Sequence, residues 1–394
     1  MYSNRQKKYI LLVILFTIPL TGAGIDIHVP SLPSIINFFN SSALSVKHSV
    51  SLYLLGYGIG QLVVGSFSDN FGRQPFLIVG TLLYLLSCIA VNFINSIESF
   101  LALRFLQGLL VAGPGIAIKA TLSDVFTGKE LHKAVALTTI SWALGPIIAP
   151  AIGGYLQHYF NWHACFNFLA AYTALILILN LALLPETKQA SKLDFSTMKD
   201  NFFMVTKSLK FYCTAINNGI IYAILSVFNV VGPFIFQESL QLNSIQYGHY
   251  ALLLGLAWFM GGLLNRFLLH YFKTEKIFTT LLPITFIFII GIIVINTAVP
   301  FNSIITVSEF CFIFFLCGAM GPTTFTLFVS QFPKLGGTVN AVGGLIMMLT
   351  GTAATIIAAH LSTSNQIATL IMMLVMIAFT TLLFMLYKKL TTTA

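Results

Sequence analysis

Long apolar runs, each closed by a short polar break, recur along almost the whole chain. A membrane-crossing helix needs about 20 mainly apolar residues. On that length the pattern predicts twelve spans, at residues 9–37, 48–68, 75–95, 99–124, 133–157, 163–184, 211–236, 247–270, 275–297, 302–328, 336–360 and 366–388. The runs are too uniformly apolar for periodicity to separate helix from strand. Length decides for helix, because a barrel strand takes only about 9–11 residues of alternating polarity. The expected fold is therefore all-α and membrane-embedded. The longest polar interruption, residues 185–210, carries Lys188, Lys192, Lys199, Lys207 and Lys210 and divides the spans six and six. It is read as a cytoplasmic linker between an N-terminal six-helix bundle at 1–184 and a C-terminal one at 211–394. Polar, basic residues 1–8 ahead of the first run resemble a signal peptide, but no convincing small-residue cleavage site follows, so an uncleaved first helix is expected.

Composition agrees with a bilayer. The chain is 57% hydrophobic and only 8% charged, against about 25% charged in an ordinary soluble domain. The formal charge of +9 would suit a nucleic-acid partner, but its distribution argues otherwise. With the N-terminus inside, 17 of the 20 Lys and Arg residues fall inside or at the inner end of a span, leaving Lys47 outside and Arg104 and Lys119 within the fourth span. The positive-inside rule selects this orientation, with both termini cytoplasmic. The surplus charge thus orients the protein against anionic lipid, and no nucleic-acid partner is expected. Five cysteines lie in apolar runs without a C-x-x-C pair, so they are read as packing residues, and no metal or other cofactor is expected.

One break is unusual. "GSFSDNFGRQPF", between the second and third runs, places Asp69 and Arg73 close together at the cytoplasmic surface. Tyr53, Tyr57, Gln61, Gly65 and Asp69 recur every fourth residue and share one stripe of the second span. Gly65 permits close approach of a neighbouring helix and Gly72 a tight turn, and Arg73 has Asp69 or a helix C-terminus within reach. This G-x-x-x-D-x-x-G-R pattern resembles the loop signature of the major facilitator superfamily. The fourth span opens "RFLQGLLVAG", and the fifth reads "ALGPIIAPAIGGYL" with Gly145, Pro146, Pro150, Gly153 and Gly154. These are similar to that family's fourth-helix motif and to the fifth-helix motif of its proton-driven exporters. "GIDIHVPSLPSI", "KATLSDVFTGKEL", "GLLNRFLLHYF" and "GPTTFTLFVSQFPKLGGTVNAVGGL" look like the Bcr/CflA drug-resistance transporters. The resemblance implies two pseudo-symmetric six-helix bundles that rock about a central cavity and exchange drug for proton. It also implies that Gly65, Asp69, Gly72 and Arg73 act as a conformational latch and do no chemistry. The second half has Asn265 and Arg266 at the corresponding loop but no Asp, so proton coupling is expected in the first half.

Ionisable groups inside spans are costly and are functional candidates by default. Asp26 is the deepest acid, flanked by Gly22, Gly24 and Pro30, which favour local loosening of the backbone. Burial favours the neutral form of a carboxyl, so Asp26 is the candidate proton carrier and substrate contact, and it matches the first-span Asp of the Bcr/CflA pattern. Arg104 cannot give up its proton and must be paired; it is read either as tuning Asp26 or as bonded to main-chain carbonyls. Glu309 is a candidate second proton site or a paired rim carboxylate. His28 lies two residues beyond Asp26, on a different helical face. Asp124 is read as structural. Relatives with a second acid carry it two turns before the first-span Asp, where this chain has Ile18, which argues against a two-acid mechanism. An apolar cavity with a few polar contacts is expected to draw on Tyr53, Tyr57, Gln61, Lys119, Trp142, Asn217, Asn218 and Tyr222.

Two transport readings follow: a bacterial inner-membrane monomer that exports small amphipathic compounds against protons, or a proton-coupled importer or exporter of a specific metabolite such as a siderophore or nutrient, since fold does not fix function. No H-E-x-x-H, nucleophile elbow or P-loop occurs, so an enzyme is not expected.

Overall fold

The structure, a computed structural model, describes residues 2–187 and 195–392; the side chains at 63–71 and 195–198 and that of Lys334 lie outside the described residues. All regular structure among the described residues is helical. Eleven helices are long and apolar enough to cross a bilayer, and a further one, Ala43–Phe71, occupies the second expected span. In chain order these are α1 (Asn4–Phe39), α2 (Ala43–Phe71), α3 (Arg73–Phe93), α4 (Ile97–Val125), α5 (Gly128–Tyr159), α6 (Trp162–Leu183), α7 (Leu209–Ser239), α8 (Ser244–Leu268), α9 (Thr274–Ile295), α10 (Ser303–Val329), α11 (Gly336–Ala359) and α12 (Ile367–Thr392). Side-chain caps mark many starts. Ser42, Ser96, Asn161, Ser208, Asn243 and Asn302 each accept a backbone N–H of the first turn of α2, α4, α6, α7, α8 and α10, which satisfies donors that have no partner within the helix.

The chain separates into two compact units, Met1–Asp194 and Phe195–Ala394. Unit 1 holds α1 to α6 and unit 2 holds α7 to α12. A short helix, Phe195–Thr206, lies inside the stretch read as linker. It docks on unit 2 because Val205, fully buried, joins Phe211, Phe328, Val339 and Val342 in one apolar cluster. The linker's polar composition hides that single anchor.

In a bilayer the lipid tails are as apolar as leucine, so helices associate through close packing rather than through the hydrophobic effect. Both units use the same device at corresponding places. In unit 1, α2 and α4 meet backbone to backbone: a Cβ at Gly108 would strike the Tyr53 carbonyl, and one at Gly56 the Phe105 carbonyl. In unit 2, α8 and α10 repeat it, with Gly318 against the Trp258 carbonyl and Gly261 against the Phe315 carbonyl. The buried Asn265 amide adds bonds from α8 to α10, donating to the Ala319 carbonyl at 2.7 Å and the Thr323 hydroxyl at 2.9 Å.

The first span is not one continuous helix. It runs as Asn4–Thr17, Pro19–Asp26, a 3₁₀ turn at Val29–Ser31, and Leu32–Phe39. Pro19, Pro30 and Pro33 explain the interruptions, since proline removes a donor and clashes with the preceding turn. Asp26 therefore ends a helical segment rather than lying mid-helix. All five cysteines are free thiols, and only Cys311 is not buried.

Gly108→Val and Gly318→Val are each expected to destabilise the protein by at least about 2 kcal/mol, the upper part of the usual overpacking range, because the obstacle is backbone. Thermal unfolding of the purified protein in detergent measures the loss; an unchanged midpoint would mean that the helices separate at no cost.

Candidate functional site

The break in α1 is held from two sides. On one side lies α5, whose glycines and prolines form the surface that α1 rests on. A Cβ at Gly145 would approach the Pro19 carbonyl to 2.7 Å, and one at Gly153 would strike the Ile27 carbonyl. The Pro146 ring fills the space over Gly22, 2.7 Å from where a Cβ there would lie. The fifth-helix motif is thus a contact surface for the segment that carries Asp26. Ser141 of α5 adds a hydrogen bond to the Leu15 carbonyl at 2.5 Å.

On the other side lies Arg104. It is fully buried, and its two terminal nitrogens bond to neutral groups while Nε has no hydrogen-bond partner. Nη2 donates to the Gly24 carbonyl at 3.0 Å and Nη1 to Gln107 Oε1 at 2.7 Å. The guanidinium carbon stands 4.3 Å from the centre of the Tyr53 ring and 5.6 Å from that of Phe166, both within cation–π range. Asp26, 2% exposed, acts on Arg104 through space. Of the two readings of Arg104, the main-chain bond is present and the charge also lies within the field of Asp26. Gln107 passes the connection on, donating to the Ser87 carbonyl of α3 at 3.2 Å. Tyr53 of α2 and Tyr84 of α3 bring their hydroxyls together against Gly24, where a Cβ would collide with both. One buried cation therefore ties α1, α2, α3 and α4 together at the break.

The remaining unit 1 candidates surround this point. Tyr57, nearly buried, turns its hydroxyl towards Thr21 of α1. Gln61 is half-buried, and Lys119 is exposed on α4. Trp142 packs against the apolar cluster formed by Ile18, Ala117 and Ile118. His28 lies within the break and is fully buried, its Nε2 3.3 Å from Ser49 Oγ. Lys47, the one basic residue placed outside by its sequence position, is 4% exposed within unit 1.

The turn between α2 and α3 is built on Gly72, whose φ of +88° lies where only glycine sits without strain. The side chains of Gly65 and Asp69 lie outside the described residues. Arg73 pairs with Asp124 at the end of α4, Nε to Oδ2 at 3.0 Å, a partner that the sequence reading had not assigned to it. Glu186, just beyond α6, was also missed. Its carboxylate accepts the Arg73 and Gln74 N–H groups at 2.9 and 3.1 Å, so an acid sits on the positive end of α3. The Gln74 side chain donates to the Leu184 carbonyl at 2.6 Å. Burial raises the pKa of the nearby Tyr2 phenol, and the Glu186 and Asp124 carboxylates add to the effect. A further ion pair, Lys7 with Glu130 at 2.6 Å, is solvent-accessible and contributes little.

In unit 2, the Asn218 amide donates to Thr324 Oγ1 at 3.0 Å, and Asn217 Oδ1 is buried without a partner. Tyr222 is nearly buried on the same helix. Glu309 is 6% exposed and bonded to Asn296 and Gln366.

Twelve membrane-length helices in two six-helix units, with a buried acid at a helix break, define a multi-pass membrane protein with ionisable groups sunk in its spans. The chain belongs to the major facilitator superfamily: that family's sequence profile matches residues 14–355. It is 32% identical over 209 residues to a bicyclomycin resistance protein homolog of Haemophilus influenzae, an alignment covering 52% of each chain. It is 29% identical over 230 residues to the multidrug transporter MdfA of Edwardsiella ictaluri, covering 58% of this chain and 56% of that one. The chain thus spans about half the length of these curated relatives. A D-xylose–proton symporter shares the fold with a TM-score of 0.74 at 16% identity, over 94% of this chain and 96% of the other. The Bcr/CflA resemblance read from the motifs agrees with these relatives.

Glu186→Ala is expected to cost about 1 kcal/mol of stability, the usual loss on removing an N-terminal helix acceptor, with Glu186→Gln losing less. Denaturation midpoints of the three proteins in detergent measure the order; equal midpoints would remove Glu186 from the turn.

Proposed function

We propose that this protein is a proton-driven exporter of small amphipathic compounds, working by alternating access as a monomer in the bacterial inner membrane with both termini cytoplasmic. The observation that carries this reading is the position of Asp26. It is a buried carboxyl at the break of α1, on the segment that rests against the exporter-type motif of α5, and it acts on the buried Arg104. The names of the relatives, a bicyclomycin resistance homolog and a multidrug transporter, support export and a drug-like substrate.

On this reading Asp26 is deprotonated when open to the cytoplasm and takes up substrate in competition with a proton. Protonation from outside releases the substrate. Arg104 positions Asp26 by fixing the Gly24 carbonyl two residues earlier. Tyr53, Tyr57, Gln61, Lys119 and Trp142 are the proposed substrate contacts within unit 1, and Asn217, Asn218 and Tyr222 those within unit 2. The Arg73–Asp124 pair, with Asp69 and the Gly72 turn, serves as the latch on the cytoplasmic side. Each charge moved through 100 mV contributes about 2.3 kcal/mol, enough for roughly fiftyfold accumulation.

In inverted vesicles holding a preformed pH gradient, drug addition is expected to collapse the gradient with the wild-type protein and not with Asp26→Asn at equal expression. Full drug-driven proton release from the Asn variant would end this reading. Substrate uptake into whole cells together with protons would replace export by import. Arg104→Lys keeps the charge but loses the planar fork that reaches Gly24 and Gln107 together. Transport is expected to fall at least about tenfold, roughly 1.4 kcal/mol, while membrane insertion persists, as read by initial rates in the same vesicles.

A further inference from the structure

Unit 2 contains a buried acid that the proposed mechanism does not use. Glu309 lies in the second turn of α10, in a cluster drawn from the ends of three helices. Asn296, which caps the end of α9, donates Nδ2 to Glu309 Oε1 at 2.8 Å. Gln366, just ahead of α12, donates Nε2 to Glu309 Oε2 at 3.3 Å and to Asn296 Oδ1 at 2.7 Å. Glu309 and Gln366 are 6% and 2% exposed. Gln366 Oε1 is buried and has no hydrogen-bond partner.

That unused oxygen is the informative feature. A buried acceptor without a donor is costly and uncommon in folded proteins. As a carboxylate, Glu309 only accepts, and the two amide N–H groups serve it. Once protonated it also donates. Its bond from Gln366 Nε2 then sets a donor against a donor, and the acid requires an acceptor. Gln366 Oε1 is that acceptor, brought into place by turning the terminal amide over; the turn breaks the Nε2 bond to Asn296 Oδ1, so the Gln366 amide also moves away from Asn296 as it reverses.

Among the described residues, the side chains found to act on the carboxyl are the neutral amides of Asn296 and Gln366. The titratable side chains at the same end of the elements packed against α10 are Glu238 on α7, Tyr247, His249 and Tyr250 on α8, and His360 at the end of α11; α9 has none at this end, and α10 itself has Cys311. Tyr250 bonds to Ser303 at the start of α10, 3.4 Å away.

We propose that Glu309, Asn296 and Gln366 form a proton-binding site within unit 2, in which the Gln366 amide reverses its hydrogen bond as Glu309 gains or loses a proton. The proton comes from the medium and rests on Glu309 Oε2; no other bond is made or broken. Because Gln366 is the tie between the start of α12 and Glu309 on α10, the protonation state sets how that helix end is fastened. The proposal rests on unit 2 alone and does not depend on the role given to Asp26.

The test uses the protein reconstituted in lipid nanodiscs with Asp26→Asn as background, so that the Asp26 carboxyl is silent. Infrared difference spectra are recorded between high and low pH across the range in which the protein stays folded. A protonated-carboxyl C=O band that disappears on adding Glu309→Gln is expected, together with a change in its frequency in Gln366→Leu. A spectrum that Glu309→Gln leaves unchanged overturns the site. A band lost in Glu309→Gln but unmoved by Gln366→Leu overturns the amide reversal. Should Glu309→Gln not fold, the Gln366→Leu spectrum decides alone, an unmoved spectrum overturning the proposal. Failure of Asp26→Asn to stop transport would sink the exporter reading and leave this measurement untouched.

Discussion

The Arg104 guanidinium holds a main-chain carbonyl at a point where the first helix has come apart, and unit 1 is organised around that bond. A buried arginine cannot shed its charge, and leaving it unpaired among apolar helices would cost several kcal/mol. The break in α1 supplies the Gly24 carbonyl, Gln107 supplies a second oxygen, and two aromatic faces cover the rest. Each element needs the other: the cation needs the carbonyl, and the broken helix needs a donor to replace lost internal bonding. The absence of side chains at Gly24, Gly145 and Gly153 brings the surrounding backbones close enough for this to work.

Close backbone contact is also how the bundle as a whole coheres. The α2–α4 crossing through Gly56 and Gly108 and the α8–α10 crossing through Gly261 and Gly318 are two versions of one solution. Lipid gives no premium for hiding leucine, so contact distance decides which helices stay together. Polar bonds then fix the register, Asn265 on Ala319 and Thr323 in one unit and Gln107 on the Ser87 carbonyl in the other.

Much of this was legible in the residues. Run length gave the helices, and Gly22, Gly24 and Pro30 the loosened first span. What stayed hidden shares one cause: partners that leave no pattern in a sequence. Bonding of Arg104 to a main-chain carbonyl was one of its two readings, but which carbonyl was not legible, since any residue could supply it. Glu186 binds backbone N–H groups at the start of α3, from a stretch that reads as polar linker. Asn296 and Gln366 sit at helix ends, where no periodicity points them at Glu309. Lys47 is basic and near a span end, yet it is buried, because position along a helix says nothing of what neighbouring helices cover. Asp124 was read as structural, but its pairing with Arg73 depended on two helix ends meeting in space.

The neutrality of Arg104's hydrogen-bond partners has an electrostatic consequence. On the proposed mechanism, an ionised Asp26 and Arg104 together carry near zero net charge, which a substrate with a positive centre can approach. Adding a proton to the carboxylate cancels the negative member and leaves the guanidinium uncompensated. At roughly 8 Å and an effective dielectric constant of about 20, that excess repels a cationic guest by about 2 kcal/mol. Loading the proton and ejecting a cation would then be one electrostatic event.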